Sequence, residues 1–302
     1  MNGVLVVAKP AGPTSHDVVA LVRRLAASKR IGHGGTLDPF AAGVLPLFLG
    51  GATRLVEYHL GDQKRYRATV CFGAASTTDD LDGELSPSSG PAPTRAAVEQ
   101  ALGALVGPQQ QQPPVYSAIQ VGGRRAYRMA RGGEMPVLSP RAVTIHALDL
   151  LEWDGTDPSR PVAIVDVSCS AGTYVRALAR DLGERVGSAA YLCGLSRTAS
   201  GPFRLEDAHS LDEIRSAAAL GGPEAIQALL LPADAGLDAI AAVTLTAAEV
   251  DDATMGRFVR PEAGLAGTPE DGPLRLLDPS GRIVGIGRRE GRRIAPDKIF
   301  AG

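Results

Sequence analysis

The residues from Lys64 to Phe72 alternate without a break. Tyr66, Ala68, Val70 and Phe72 share one face, and Arg65, Arg67, Thr69 and Cys71 the other. A period of two commits this stretch to a β-strand with two unlike faces. Around it the chain is broken into short elements, because 36 glycines and 22 prolines among 302 residues supply turns throughout. Gly3–Ala8 reads as a buried strand, ended by Lys9-Pro10 and a Gly12-Pro13 turn. Thr14 or Ser15 then caps a helix with an apolar stripe of Val18, Val19, Leu21, Val22 and Leu25. Residues 30–43 are a Gly-rich loop, Val44–Leu49 is strand-like and Arg54–Leu60 a short helix. Residues 73–93 read as an acidic, then Ser/Pro-rich loop before a helix over Thr94–Leu105, with Thr94 as N-cap. Pro108–Pro114 is extended, Val115–Val121 a strand, and Gly122–Gly133 an Arg-rich turn and short helix. Arg141–Trp153 and Val162–Ser170 are strands, and Tyr174–Val186 is a helix with Gly187 as its cap. After about residue 205 two Ala/Leu-rich helices, Leu211–Ala219 and Glu224–Leu230, lead to a linker at Pro232–Gly236. A small β-rich segment fills 237–302.

Composition excludes several classes. Apolar residues make up 44% and charged residues 21%, which is globular rather than disordered. The length suits one large domain or a main domain with an appendage. The net charge of −2 means that any nucleic-acid role must rest on local patches. Three cysteines, Cys71, Cys169 and Cys193, lie far apart; an odd, sparse set argues against a disulfide framework and fits a reducing compartment. No apolar run approaches a membrane span, and the first ten residues lack the basic region of a signal peptide. There is no Gly-x4-Gly-Lys-Ser/Thr loop, no Gly-x-Ser-x-Gly elbow and no His-Glu-x-x-His. Thr78–Gly83 fails as a calcium loop at its first position and at Ser89, its twelfth.

Four segments carry chemistry. In Gly32-His33-Gly34-Gly35-Thr36-Leu37-Asp38-Pro39, glycines allow close backbone approach, and the loop presents one carboxylate beside one imidazole. Its plainer reading is a turn capped by Asp38. Lys64-Arg65-Tyr66-Arg67 sets an aromatic among cations, suited to a base beside a phosphate backbone, or else a half-buried edge strand. Arg176, entering a helix after Gly172-Thr173-Tyr174-Val175, either pairs with a carboxylate from another loop or with Asp181 on the surface. Arg124, Arg125, Arg128 and Arg131 surround Tyr127 and are opposed only by Glu134, forming either a phosphate grip or a solvated face.

Taken together and in order, these segments closely resemble the tRNA pseudouridine synthase B family. Gly3–Pro10 resembles its opening strand, and Gly32–Pro39 with Gly43-Val44-Leu45-Pro46 its aspartate signature. Lys64–Arg67 resembles its active-site tyrosine segment. Pro113-Pro114-Val115-Tyr116-Ser117-Ala118, Gly123-Arg124 and Ala130-Arg131 are similar to its RNA-gripping insertion. Gly172–Arg176 with Asp181-Leu182-Gly183, then Leu195-x-Arg197-Thr198, resemble its later motifs. The match spans about residues 3–205. Gly34 replaces a usual Thr, Gln120 a Lys, Arg128 an acidic residue and Thr77 an Asp, departures that touch RNA contacts rather than the reaction.

The resemblance implies an α+β fold: a mixed, largely antiparallel sheet flanked by helices, over residues 1–236 with the insertion at about 108–136, and a small PUA-like RNA-binding domain at 237–302. It implies isomerisation of uridine to pseudouridine in the T-loop of tRNA, by a cytoplasmic monomer that binds the T-arm, without cofactor or metal and away from membranes. Asp38 would act as nucleophile at C1′ or base at C2′, held ionised by Arg176, which would lower its pKa. Tyr66 would stack on the uracil and relay the C5 proton, Leu195 would wall the pocket, His33 would fill the space left by the flipped base, and Lys9 would support the site. Arg124, Arg125, Arg128 and Arg131 would sit on a flap, poorly ordered without RNA, that closes on the T-arm. Two rival classes remain: an RNA-binding protein without catalysis, which Asp38, Tyr66 and Arg176 argue against, and a phosphate- or nucleotide-handling enzyme, which the missing Lys-Ser/Thr argues against.

Overall fold

A computed structural model of the chain describes residues 1–262 and 264–300. The chain begins with β1 (Gly3–Lys9), α1 (Ser15–Leu25), β2 (Ile31–His33) and β3 (Ala42–Leu49). A 3-10 turn over Gly50–Leu55 runs into α2 (Val56–His59), followed by β4 (Lys64–Phe72), β5 (Ala74–Ser76), β6 (Leu85–Pro87) and α3 (Arg95–Leu105). The insertion carries β7 (Gly107–Gln111), β8 (Gln120–Val121), β9 (Arg124–Arg125) and α4 (Ala126–Arg131). Then come β10 (Arg141–Asp154), β11 (Val162–Cys169), α5 (Val175–Arg185), β12 (Ala190–Ser200), β13 (Phe203–Arg204), β14 (His209–Ser210) and α6 (Leu211–Gln227). The last segment holds β15 (Ala242–Thr244), α7 (Ala247–Thr254), β16 (Pro273–Leu277), β17 (Ile283–Glu290) and β18 (Arg293–Ile299).

One sheet runs in the order β14-β1-β3-β12-β4-β11-β10-β7, with β2 beside β3 and β13 beside β12. Only the β1–β14 and β3–β12 pairs are parallel, so the expected mixed, largely antiparallel sheet is present. The alternation of β4 is realised: Tyr66, Ala68, Val70 and Phe72 are buried and Arg65 and Arg67 exposed. They pack with Val165, Val167 and Ile145 under α3 and α5. On the other half of the sheet, Leu5, Val7, Leu45, Leu47 and Leu49 pack with α1 and α6. Thr14, not Ser15, caps α1, through a reciprocal capping box with Asp17. Gly43 lets β3 approach β12: its φ is +111°, and a Cβ there would lie 2.2 Å from the Arg197 carbonyl oxygen.

Several expectations are corrected. Cys71 and Cys193 form a disulfide, with Cα atoms 5.9 Å apart on the neighbouring strands β4 and β12. Sequence separation is no guide to proximity when sheet pairing brings distant strands together, so a sparse, odd set of cysteines did not exclude a disulfide. The 73–93 loop contains a hairpin, β5–β6. Val115–Val121 is not a strand: only Gln120–Val121 pairs, with Arg124–Arg125, because Pro113-Pro114 and the bends after them leave no partner edge. The two helices expected after residue 210 are both present within α6, parted by a kink at non-helical Gly221 and Gly222 before Pro223, but the second ends at Gln227 rather than Leu230. The terminal segment is β-rich, a four-stranded sheet β15-β16-β17-β18, but it also carries α7, whose Thr246 capping box starts it.

That second sheet has its own core of Val243, Leu245, Leu274, Leu276 and Ile294. It meets the first half of the chain through Leu55, Leu237, Ile286 and Phe300.

Candidate active site

Asp38 sits in the loop between β2 and β3, and the residues around it are fixed one by one. Ser15, at the start of α1, accepts the Leu37 N–H at 2.9 Å and donates to the Leu37 carbonyl. On the other side the Pro39 carbonyl accepts from Gly12 N–H at 2.8 Å and from Lys9 Nζ at 3.3 Å. Lys9, 1% exposed, also donates to the Pro10 and Pro13 carbonyls. Burial pulls its ammonium down to about 8. Its place is that of a strut inside the loop, as the sequence suggested. Further back, the fully buried Arg197 of β12 donates to the carbonyls of Val44 at 2.7 Å, Gly35 at 3.1 Å and Thr36 at 3.4 Å. A loop rich in glycine is thereby held by three side chains from three elements.

Arg176 leaves the first turn of α5 and reaches Asp38: Nε lies 3.0 Å from Oδ2. Its Nη1 meets Asp80 Oδ2 at 3.2 Å and the Thr78 carbonyl at 3.1 Å, and its Nη2 donates to the Tyr116 carbonyl at 3.0 Å. The guanidinium therefore joins two carboxylates and two loops. The alternative pairing with Asp181 is not formed; Arg180 takes Asp181 and Asp79 instead. The side chains of Arg176 and Asp80 are each 6% exposed and that of Asp38 is 37% exposed, so of the three only Asp38 is open to a substrate.

Arg176 does not lower the pKa of Asp38 below the ordinary carboxylate value. Burial in the cleft outweighs it and raises the pKa, and Asp80 pushes in the same direction. The arginine limits that rise rather than reversing it.

Tyr66 lies in the floor beside Leu37 and Ala41. Burial raises its pKa, so the hydroxyl stays protonated at neutral pH. The cations next to it in sequence do not share its setting. Arg65 is on the opposite face, 3.1 Å from Asp166, and Lys64 is buried, brought down to about 8 by that burial. Leu195 is half-buried on β12, paired with Ala68 and packed on the same cluster as Tyr66. His33 ends β2; its Nδ1 accepts from Gly35 N–H at 3.3 Å, leaving Nε2 to carry the proton of the neutral ring. Burial, His16 and Arg197 lower its pKa, and the His16 ring is 5.7 Å away. A Cβ at Gly34 would lie 3.2 Å from the Phe48 ring, a tight contact to which the ring would have to yield by a few tenths of an ångström.

The four insertion arginines stand apart from this cleft. Arg124 pairs with Glu134 at 2.8 Å, Arg125 donates to the Ala118 carbonyl, and Arg128 and Arg131 approach the Tyr127 ring. Among the described residues no group of three or more His, Cys, Asp or Glu is placed to hold a metal ion, and no helix is long and apolar enough to cross a membrane.

Residues 23–175 match the family described as TruB family pseudouridylate synthase (N terminal domain), and residues 176–238 match the tRNA pseudouridylate synthase B C-terminal domain. The chain is 40% identical to tRNA pseudouridine synthase B of Arthrobacter sp. (strain FB24), over 100% of this chain and 97% of that protein. The chain belongs to the tRNA pseudouridine synthase B family. Its relative of that name from Thermobifida fusca (strain YX) is 41% identical over 100% of this chain and 99% of its own. Two solved structures share the synthase fold. One, of a Cbf5-Nop10-Gar1 complex, has a TM-score of 0.73 at 24% identity; the other, of an H/ACA RNP bound to a substrate RNA containing 2′-deoxyuridine, has 0.72 at 23%. Each match covers 99% of this chain and 85% of the other.

The structure brings Asp38, Arg176, Tyr66, Leu195, Lys9 and His33 to one region of the fold, together with three residues that the sequence did not single out. Arg197 was quoted only as part of a motif, yet it is the largest fully buried side chain. Asp80 was read as a failed calcium ligand and is instead the second carboxylate on Arg176. Ser15 was weighed only as a cap and instead pins Leu37. That it is the one charged residue of β12 was the signal available for Arg197.

Proposed function

We propose that this member of a tRNA-modifying isomerase family converts a uridine of the T-loop to pseudouridine with Asp38 as its catalytic carboxylate. The reading is carried by one observation: a solvent-reachable carboxylate is held at 3.0 Å by a buried arginine beside a buried tyrosine. The reaction breaks N1–C1′, turns the base and joins C5 to C1′. Attack at C1′ and deprotonation at C2′ both require the ionised carboxylate, and Arg176 favours that form against burial. The uridine must leave its stack, at a cost of a few kcal/mol. Stacking on Tyr66 would offset about 1–3 kcal/mol of that cost. Leu195 walls the pocket, His33 occupies the space the base leaves, and Lys9 keeps the loop in place.

Residues 1–236 act as the catalytic domain, and 237–302 as a PUA-like RNA-binding domain, a reading supported by the separate core of the second sheet. The enzyme works as a cytoplasmic monomer on the T-arm, where its substrate is. The test is incubation of unmodified tRNA transcript with wild type and Asp38→Asn, followed by mapping of pseudouridine. Wild type should modify one T-loop uridine. Asp38→Asn should yield no product while tRNA affinity stays within about threefold, because the carboxylate reacts rather than binds. Product at the wild-type rate would remove Asp38 from the mechanism.

A further inference from the structure

The start of the Arg-rich insertion is tied to the helix that carries Arg176. Tyr174 is the N-cap of α5, and its N–H, like the others at a helix start, has no acceptor within the helix. Gln111, the last residue of β7, supplies one. Its Oε1 accepts from Tyr174 N–H at 2.8 Å, and its Nε2 donates to the Tyr174 carbonyl at 3.1 Å. The side chain is 2% exposed, and both ends of its amide are satisfied by this one residue. The next residue, Gln112, accepts from Arg180 Nη2 through its carbonyl at 2.9 Å, and Tyr116 accepts from Arg176 as described. Contacts from the insertion thus fall on the backbone of Tyr174 at the start of α5 and on Arg176 and Arg180, which lie one turn apart on one side of the helix.

We propose that Gln111 is a positioning residue for the isomerisation: its amide fixes the first turn of α5 against β7 and so sets where Arg176 meets Asp38. The proposal rests on the reading of Asp38 as the reactive carboxylate. Arg176 is two residues from Tyr174, and an ion pair at 3.0 Å tolerates little displacement of the helix start. Through this tie, the position of the RNA-gripping insertion and the state of the carboxylate become one variable. The groups that face Asp38 are Arg176 from α5, Asp80 from the β5–β6 connection, Lys9 from β1 and Tyr66 from β4. If Arg176 withdraws, Lys9 is the remaining cation, and burial and Asp80 then raise the carboxylate further. Since the ionised form reacts, activity is lost as pH falls through that raised pKa, and the loss begins at a higher pH.

The test uses Gln111→Met, which keeps the volume and removes both hydrogen bonds, and Gln111→Glu, which keeps the acceptor for Tyr174 N–H. Single-turnover rates at saturating tRNA are measured from acid to neutral pH, beside thermal unfolding, tRNA affinity and an Asp38→Asn control. For Gln111→Met the rate should fall about 10- to 100-fold, as misplacement of a positioned group does. Its acid limb should move to higher pH, with affinity within about threefold. Gln111→Glu should fall between it and wild type, and it carries the test should Gln111→Met not fold. A wild-type rate and acid limb in the folded variant, or a slower rate with an unmoved acid limb, would overturn the proposal. Activity in the Asp38→Asn control would instead overturn the reading beneath it.

Discussion

Asp38 stands between opposed influences. Burial and Asp80 favour its protonated form, while Arg176 and Lys9 favour the ionised one. Arg197 solves a different problem, since a fully buried guanidinium is tolerated only when its donors are satisfied. Three backbone carbonyls satisfy it here, and in accepting from it they are fixed in place with the loop. Tyr66 then offers two separable properties, a ring and a hydroxyl. Tyr66→Phe keeps the ring, so the tRNA should bind and the base flip, but removal of the C5 proton should fail. Tyr66→Ala should also lose stacking, weakening binding by about 1–3 kcal/mol. Affinity and turnover measured on both variants separate the two. Full multiple turnover by Tyr66→Phe would end the proton-relay role.

At the scale of elements, the insertion is the part proposed to meet the RNA. Arg124, Arg125, Arg128 and Arg131 lie within eight residues of a chain whose net charge is −2. Glu134 neutralises Arg124 in the free protein, so RNA has to compete for that side chain, whereas none of the other three has a carboxylate within ion-pair distance among the described residues. Each phosphate contact contributes about 0.7–0.9 to the slope of log affinity against log salt. Replacing all four arginines by Ala should therefore weaken tRNA binding and flatten the slope by about 3. The chemical step at saturating tRNA should be spared. An affinity series across salt for wild type and the fourfold variant gives the answer, and an unchanged slope would place the RNA grip elsewhere, with the Arg288–Arg293 stretch the next place to look.

Over the whole molecule, the disulfide joins residues 122 apart and links the strand that carries Tyr66 to the strand that carries Leu195 and Arg197. Closing so long a loop restricts the unfolded chain, which is worth about 2–4 kcal/mol. Urea unfolding with and without reductant should show the midpoint falling on reduction, with a further check from Cys71→Ala, which should behave as the reduced protein in both conditions. A midpoint indifferent to reductant would mean that the bond contributes nothing to stability. Cys169 enters no such bond: it is buried, its thiol pushed up to about 11, and it should resist alkylation until the protein unfolds.

The chain's local chemistry was readable from its residues. Alternation in Lys64–Phe72 named the inward face of β4, Thr94 named the start of α3, and the Gly-rich segment ending in Asp38-Pro39 named the loop that Arg176 reaches. These depend on neighbours a few residues away, through backbone period, capping and turn preference. What only the tertiary structure decided are encounters between distant segments. It paired Cys71 with Cys193, set Asp80 on Arg176, drove Arg197 beneath the loop and carried Gln111 to the start of α5. It also settled the direction of the Asp38 shift, because desolvation depends on everything packed around a group and not on the one cation named beside it.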